Sequence, residues 1–103
     1  MRSLLIDDFR TFVVDHIART GEEGIQALQG EHWGTLYLDH DLGEGMTGYD
    51  VACWLERNPQ HLPERVVIVS SNPVGRKNIE RVLEHFYIQD GPFWIKDEDS
   101  KNI

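Results

Sequence analysis

Three polar clusters in this sequence carry residue types that do chemistry together. Asp7 and Asp8 follow the apolar run Leu4-Leu5-Ile6 and precede Arg10. Asp39-His40-Asp41 follows Leu36-Tyr37-Leu38, and Ser70-Ser71-Asn72 follows Val66-Val67-Ile68-Val69. Each cluster stands directly after a short aliphatic or β-branched stretch of the kind that forms a buried strand. In an open parallel sheet, ligands bind beyond the carboxyl ends of the strands. Parallel strands would bring all three clusters to one edge.

Asp7, Asp8 and Asp39 would make an oxygen-rich pocket suited to a hard cation such as Mg²⁺, which takes one or two carboxylates together with waters and a phosphate. Acids facing each other at strand ends repel unless a cation or a proton intervenes. The same residues also read as a turn in which Asp7 and Asp8 pair with Arg10. His40 stands between Asp39 and Asp41, and a histidine held by a carboxylate serves as general base or acid near neutral pH. Strand alternation would instead send Asp39 and Asp41 to one side and His40 to the other, leaving His40 to position the loop. His16, His32, His61 and His85 show no ligand spacing and read as surface or satisfied histidines.

The run from Ser70 to Asn78 places small hydroxyls and an amide at a helix start, where free N–H groups and the dipole favour an anion. Gly75 allows close backbone approach, and Arg76 or Lys77 brings charge to a phosphate. Ser70, Asn72, Gly75, Arg76 and Asn78 are therefore candidate phosphate contacts, with Arg10 from the first cluster. Taken alone, the run also reads as an ordinary Asn-Pro helix cap followed by two basic surface residues.

The elements that must hold these clusters alternate between strand and helix. Val13 to Arg19 is a second strand candidate, with Val14, His16 and Ala18 alternating against Val13, Asp15 and Ile17. Thr20-Gly21-Glu22-Glu23 has capping-box spacing, and Ile25 with Leu28 supplies the buried face of a short helix. The Gly-rich loop Leu42 to Met46 leads to a second capping box at Thr47 and Asp50. The helix it opens carries Val51, Trp54 and Leu55 on one face and ends near Asn58-Pro59. Asn72 caps a third helix with Pro73 at its first position, and Ile79, Val82, Leu83 and Phe86 follow i, i+3, i+4, i+7 spacing. Phe93-Trp94-Ile95 reads as a last strand before a polar end.

This order predicts a mostly parallel sheet covered by helices. The second strand sits awkwardly, because a parallel crossover usually takes a dozen or more residues and Asp8 to Val13 offers far fewer. The first crossover helix is therefore expected to be missing or reduced to a loop, and the second strand is open to antiparallel pairing.

Length and composition bound the function. The 103 residues predict one domain with one modest core. A hydrophobic share of 40% and a charged share of 27% fit a globular chain and not a disordered one. No apolar run approaches the roughly 20 residues that cross a bilayer, and Leu4-Leu5-Ile6 meets Asp7 too soon for a signal peptide. The single cysteine, Cys53, forms no internal disulfide, so the expected compartment is cytoplasmic. Ten Lys+Arg against eighteen Asp+Glu give a formal charge of −8, which repels phosphate backbones and argues against duplex nucleic acid as a partner. Acidity of this kind gives solubility, or it imitates a nucleic-acid backbone for a basic partner protein. The acids are spread over the chain, which weakens the second view.

The segments Ile6 to Arg10, Leu38 to Gly43, Thr47 to Val51 and Ser70 to Asn78 resemble the cyclic-phosphate processing receiver-like domain family, itself similar to response-regulator receiver domains. The resemblance spans about residues 2 to 86. It implies a flavodoxin-like three-layer α/β fold with a mostly parallel sheet, from which this chain departs in its reduced first helix and shortened C-terminus. It also implies that Asp7, Asp8 and Asp39 stand where receivers hold Mg²⁺ and the phosphoacceptor aspartate, and that Ser70 stands where they contact the phosphoryl group. The family commonly has a histidine before that serine, where this chain has Val69. Lys96 aligns loosely with the receivers' last-strand lysine.

The leading expectation is a receiver-like domain over 1–103 that binds a cyclic-phosphate nucleotide, with metal-dependent hydrolysis as its possible chemistry. In that reading Asp7, Asp8 and Asp39 hold Mg²⁺, while His40, Asp41 and Asp39 are catalytic. The runner-up is a non-catalytic acidic interaction protein on the same scaffold, an inhibitor or decoy of a partner protein; small size and acidity would suit a phage or mobile-element protein. A third reading, a phosphoacceptor switch at Asp39, lacks the standard receiver elements.

Overall fold

The computed structural model describes residues 1–87, with the side chains of His85 and Tyr87 left aside. The expected strand at Phe93-Trp94-Ile95, the position of Lys96 and the side chain of His85 lie outside the described residues. Four strands run β1 (Ser3–Ile6), β2 (His16–Ala18), β3 (Thr35–Leu38) and β4 (Arg65–Ile68). Three α-helices follow β2, β3 and β4: α1 (Gly21–Gly30), α2 (Gly48–Arg57) and α3 (Pro73–Tyr87). The sheet order is β2-β1-β3-β4 and every pairing is parallel.

Strand alternation splits the core in two. Leu4, Ile6, Leu36, Leu38, Val66 and Ile68 point to one face. There they pack with Leu28 of α1, Val51 and Leu55 of α2, and Ile79 and Leu83 of α3. All three helices thus share one face. The other face carries Leu5, Val67 and Val69, with Phe12, Val14, Ile17 and Tyr37 packed against them. The described residues therefore supply two of the three expected layers, and the connection 7–15 covers part of the second face without a helix.

That connection corrects the antiparallel option for the second strand. β2 pairs parallel to β1, with Leu4 opposite His16 and Ile6 opposite Ala18. Four strand residues rise only about 13 Å, and a nine-residue extended segment spans up to about 30 Å, so a loop suffices for the return. Residues 13–15 are used in that return, which shortens the strand to His16–Ala18. Asp15 pins its end: its carboxylate accepts from the Ser3 backbone N–H at 2.8 Å and its own N–H donates to the Ser3 carbonyl at 3.1 Å.

The helix starts follow the local signals with one shift. Thr47 and Asp50 form the full capping box of α2. Thr20 accepts from the Glu23 N–H, but the Glu23 carboxylate takes the Arg19 N–H instead of the Thr20 N–H. Ile25 is only half-buried, and Gly21, Gly24 and Leu28 form the buried face of α1. On α2, Val51, Ala52 and Leu55 are buried while Trp54 is partly so.

Gly48 marks how tightly α2 meets the end of β3. Its N–H donates to the His40 carbonyl at 2.8 Å. A Cβ at this position would run into the Asp39 carbonyl group, which is backbone and cannot swing away. Gly48→Ala should therefore destabilise the chain by about 2–3 kcal/mol in urea unfolding. Gly30→Ala, whose added methyl meets nothing within 4 Å, should match or exceed wild-type stability.

Candidate functional site

Parallel pairing carries the strand-end clusters to one edge. The Asp39 N–H donates to the Ile6 carbonyl at 3.1 Å and the Val69 N–H to the Leu38 carbonyl at 3.0 Å, so the ladder continues one residue past the strands. Asp7 and Asp39 are buried side by side, and Asp8 is exposed at the rim. One carboxylate oxygen from each of Asp7, Asp8 and Asp39 lies within 4.8 Å of the others. The group sits between β1 and β3, where the strand order reverses, the position at which such sheets take their ligands.

The turn reading and the cluster coexist. Asp7 Oδ1 accepts the backbone N–H groups of Phe9 and Arg10, each at 3.0 Å, which folds the chain sharply back. Arg10 Nη1 then reaches Asp7 Oδ2 at 3.1 Å, Asp39 Oδ2 at 3.8 Å and the Val69 carbonyl at 2.8 Å. No ion pair joins Asp8 to Arg10 among the described residues.

Burial and the neighbouring Asp7 charge push the Asp39 carboxyl up to about 6, against the pull of Arg10 and of the His40 and Asp41 N–H groups. The His40 N–H is bonded to Asp39 Oδ1 at 2.8 Å. The oxygen-only donor set, with three carboxylates against the single Arg10 guanidinium, fits a hard divalent cation. Asp7, Asp8 and Asp39 are the residues that would hold it.

The chain leaves strand geometry after Leu38, so the predicted alternation does not separate His40 from Asp41. His40 Nδ1 lies 2.9 Å from Asp41 Oδ1, and Asn72 Nδ2 donates to the same oxygen at 3.3 Å. The His40 bond holds the Asp41 carboxyl below its ordinary value. The face of His40 rests on Gly75: a Cβ there would collide with the imidazole ring. Gly75 thus gives close approach to His40, and its N–H is bonded to Asn72 Oδ1 at 3.0 Å as the cap of α3.

The remaining expected phosphate contacts are placed as follows. Ser70 is fully buried, and its Oγ accepts the Asn72 N–H at 3.0 Å. Arg76 Nη1 donates to the Ser70 carbonyl at 3.3 Å. Asn78 accepts from Arg81 along the helix at 3.2 Å. Of the other histidines, His32 pairs with Glu64 at 2.9 Å, while His16 and His61 stack on Trp33 and Trp54.

Sequence reasoning missed Arg19. Its Nη1 donates to the carbonyls of Asp7 and Arg10, at 3.2 and 2.6 Å, and its Nη2 to Thr11 Oγ1 at 3.1 Å. It clamps the loop that carries Asp8 and Arg10. Only the parallel register of β2 brings it there, and nothing local in the sequence signals that.

With this geometry the comparisons with known proteins agree. The family described as "Cyclic-phosphate processing Receiver domain" matches residues 2–85. The chain belongs to that family, and its fold is the receiver-like α/β fold. A solved fusion that carries the yeast Spc42 trimeric coiled coil is similar in fold, with a TM-score of 0.60 at 20% identity; the match covers 93% of this chain and 66% of that one. No curated protein matches. No helix among the described residues is long and apolar enough to cross a membrane.

The raised Asp39 carboxyl has a stability consequence. The folded chain keeps the proton up to about pH 6, whereas the unfolded chain releases it near the ordinary 3.8. Folded protein thus binds more protons in that window, and stability falls as pH rises through it and then levels off. Asp39→Asn should be more stable than wild type by on the order of 2 kcal/mol at pH 7.5 without added metal. The advantage should vanish near pH 4, as read by urea unfolding of both proteins at the two pH values.

Proposed function

We propose that this chain binds a cyclic-phosphate nucleotide at the carboxyl edge of its sheet, and that the His40–Asp41 pair equips the site for hydrolysis. The observation that carries the reading is the meeting of the Asp7, Asp8 and Asp39 carboxylates with Arg10, which also bonds the Val69 carbonyl ahead of α3, at the β1/β3 switch point of a cyclic-phosphate processing receiver domain. Ligand chemistry follows from charge. Three carboxylates against one close guanidinium repel a phosphate unless a cation bridges them. A divalent cation such as Mg²⁺, when bound by Asp7, Asp8 and Asp39, would supply charge that polarises the phosphoryl oxygens.

The chain's own residues account for the rest. Arg10, Arg76 and the positive end of α3 attract the anion, with Ser70, Asn72, Gly75 and Asn78 shaping that side. Asp41 holds His40 through Nδ1, which leaves Nε2 to accept a proton from water. Water then forms one P–O bond as one ring P–O bond breaks, and the proton passes from His40 to the departing alkoxide. Asn72 keeps Asp41 in place and Gly75 keeps the ring in place.

A second reading, a non-catalytic interaction protein, draws on Phe9 and Val74, apolar side chains 74% and 69% exposed on the loop after β1 and the first turn of α3. Phosphorus NMR separates the two. The protein is mixed with 2′,3′-cyclic, 3′,5′-cyclic and ADP-ribose-derived cyclic phosphates, with and without Mg²⁺. A new phosphomonoester resonance identifies hydrolysis, and line broadening alone identifies binding. Unchanged spectra across the panel overturn the nucleotide reading in favour of a protein partner. His40→Ala should slow any product formation by about 10²-fold or more while broadening persists.

A further inference from the structure

Arg10 stands at the one carboxylate oxygen of Asp7 that keeps a lone pair for a cation. Asp7 Oδ1 already accepts two backbone N–H groups, from Phe9 and Arg10, which fills both of its lone pairs. Any further partner of this buried carboxylate must come through Oδ2, and Arg10 Nη1 stands there at 3.1 Å. The same nitrogen is 3.8 Å from Asp39 Oδ2 and spends its second hydrogen on the Val69 carbonyl at 2.8 Å. A guanidinium and a dication on the same oxygens would stand within a few ångströms of each other and repel. The Asp7 and Asp39 side chains are 0% and 7% exposed, whereas Arg10 is 23% exposed and has a way out to solvent.

We infer that Arg10 is a built-in counter-ion that exchanges with a divalent cation: the cation enters at Asp7 Oδ2 only as the guanidinium leaves for the rim. This rests on the reading that Asp7, Asp8 and Asp39 hold a divalent cation. The exchange is local. Arg19 bonds the Asp7 and Arg10 carbonyls and keeps the loop's backbone in place while the side chain turns outward. Once outside, the guanidinium is a fork-shaped donor beside the ligand's phosphate. Arg10 thus couples the two ligands, because the phosphate stabilises the outward position that the cation requires.

The test is titration of the full chain with Mg²⁺ alone, followed by calorimetry in wild type and Arg10→Gln. Arg10→Gln should bind Mg²⁺ at least about tenfold more tightly, since no resident charge has to leave. In wild type, the Arg10 Nε–H NMR signal should shift and exchange faster with water as Mg²⁺ is added. That measurement needs no variant and stands even where Arg10→Gln folds poorly. Equal or weaker Mg²⁺ binding by Arg10→Gln, or an Arg10 signal unmoved while wild type binds Mg²⁺, overturns the exchange and leaves the cation site standing. Failure of both proteins to bind Mg²⁺ overturns the cation reading and the exchange together.

Discussion

The pairing of β1 with β3 is the constraint from which the rest of the site follows. Ile6 lies opposite Leu38, so the next residue on each strand is an aspartate, and the two carboxylates are buried as neighbours. Burial and the neighbouring Asp7 charge both oppose ionisation of Asp39, and the protein answers them with polar partners around the pair. The Phe9 and Arg10 N–H groups bond Asp7, the His40 N–H bonds Asp39, and the Arg10 guanidinium faces both. The answer is incomplete, as the raised Asp39 carboxyl shows. Holding such a pair costs the fold stability above the raised Asp39 value.

The connection from β1 to β2 shapes that site because it is not a helix. Its first residues wrap around Asp7 and bring Arg10 back over the carboxylates. Its later residues, Phe12 and Val14, pack against Leu5, Val67 and Val69 on the second face of the sheet. Arg19 and Asp15 fasten it at its two ends, one to the Asp7 and Arg10 carbonyls and the other to Ser3. One short segment therefore covers core and supplies the charged loop, a division of labour that a full helix would have arranged differently.

The acidic side and the α3 side of the edge are joined by polar bonds and close packing. Arg10 reaches from the β1 turn to the Val69 carbonyl at the end of β4. Asn72 caps α3 with its oxygen and holds Asp41 with its nitrogen. The His40 ring lies against Gly75, and the Asp39 carbonyl lies against Gly48. Both glycines serve by having no side chain, which lets helix starts close on the strand ends.

Local physics was legible in the sequence: buried strands at Leu4-Leu5-Ile6, Leu36-Tyr37-Leu38 and Val66-Val67-Ile68, caps at Thr20, Thr47 and Asn72, and a polar cluster after each strand. These features depend on residues a few positions apart, so spacing and propensity suffice to read them. The convergence of Asp7 with Asp39 followed from one further premise, that the strands are parallel. Tertiary structure alone decided the direction of β2, the reach of Arg10 to Asp39 and the Val69 carbonyl, the Arg19 clamp, the bond from Asn72 to Asp41, and the use of Gly75 as a floor for an imidazole. Each of these depends on register or on contacts between residues distant in the chain, where one residue's slip would change every partner. Residue types announced a charged, polar edge; the packing determined that the Arg10 guanidinium faces the Asp7 and Asp39 carboxylates.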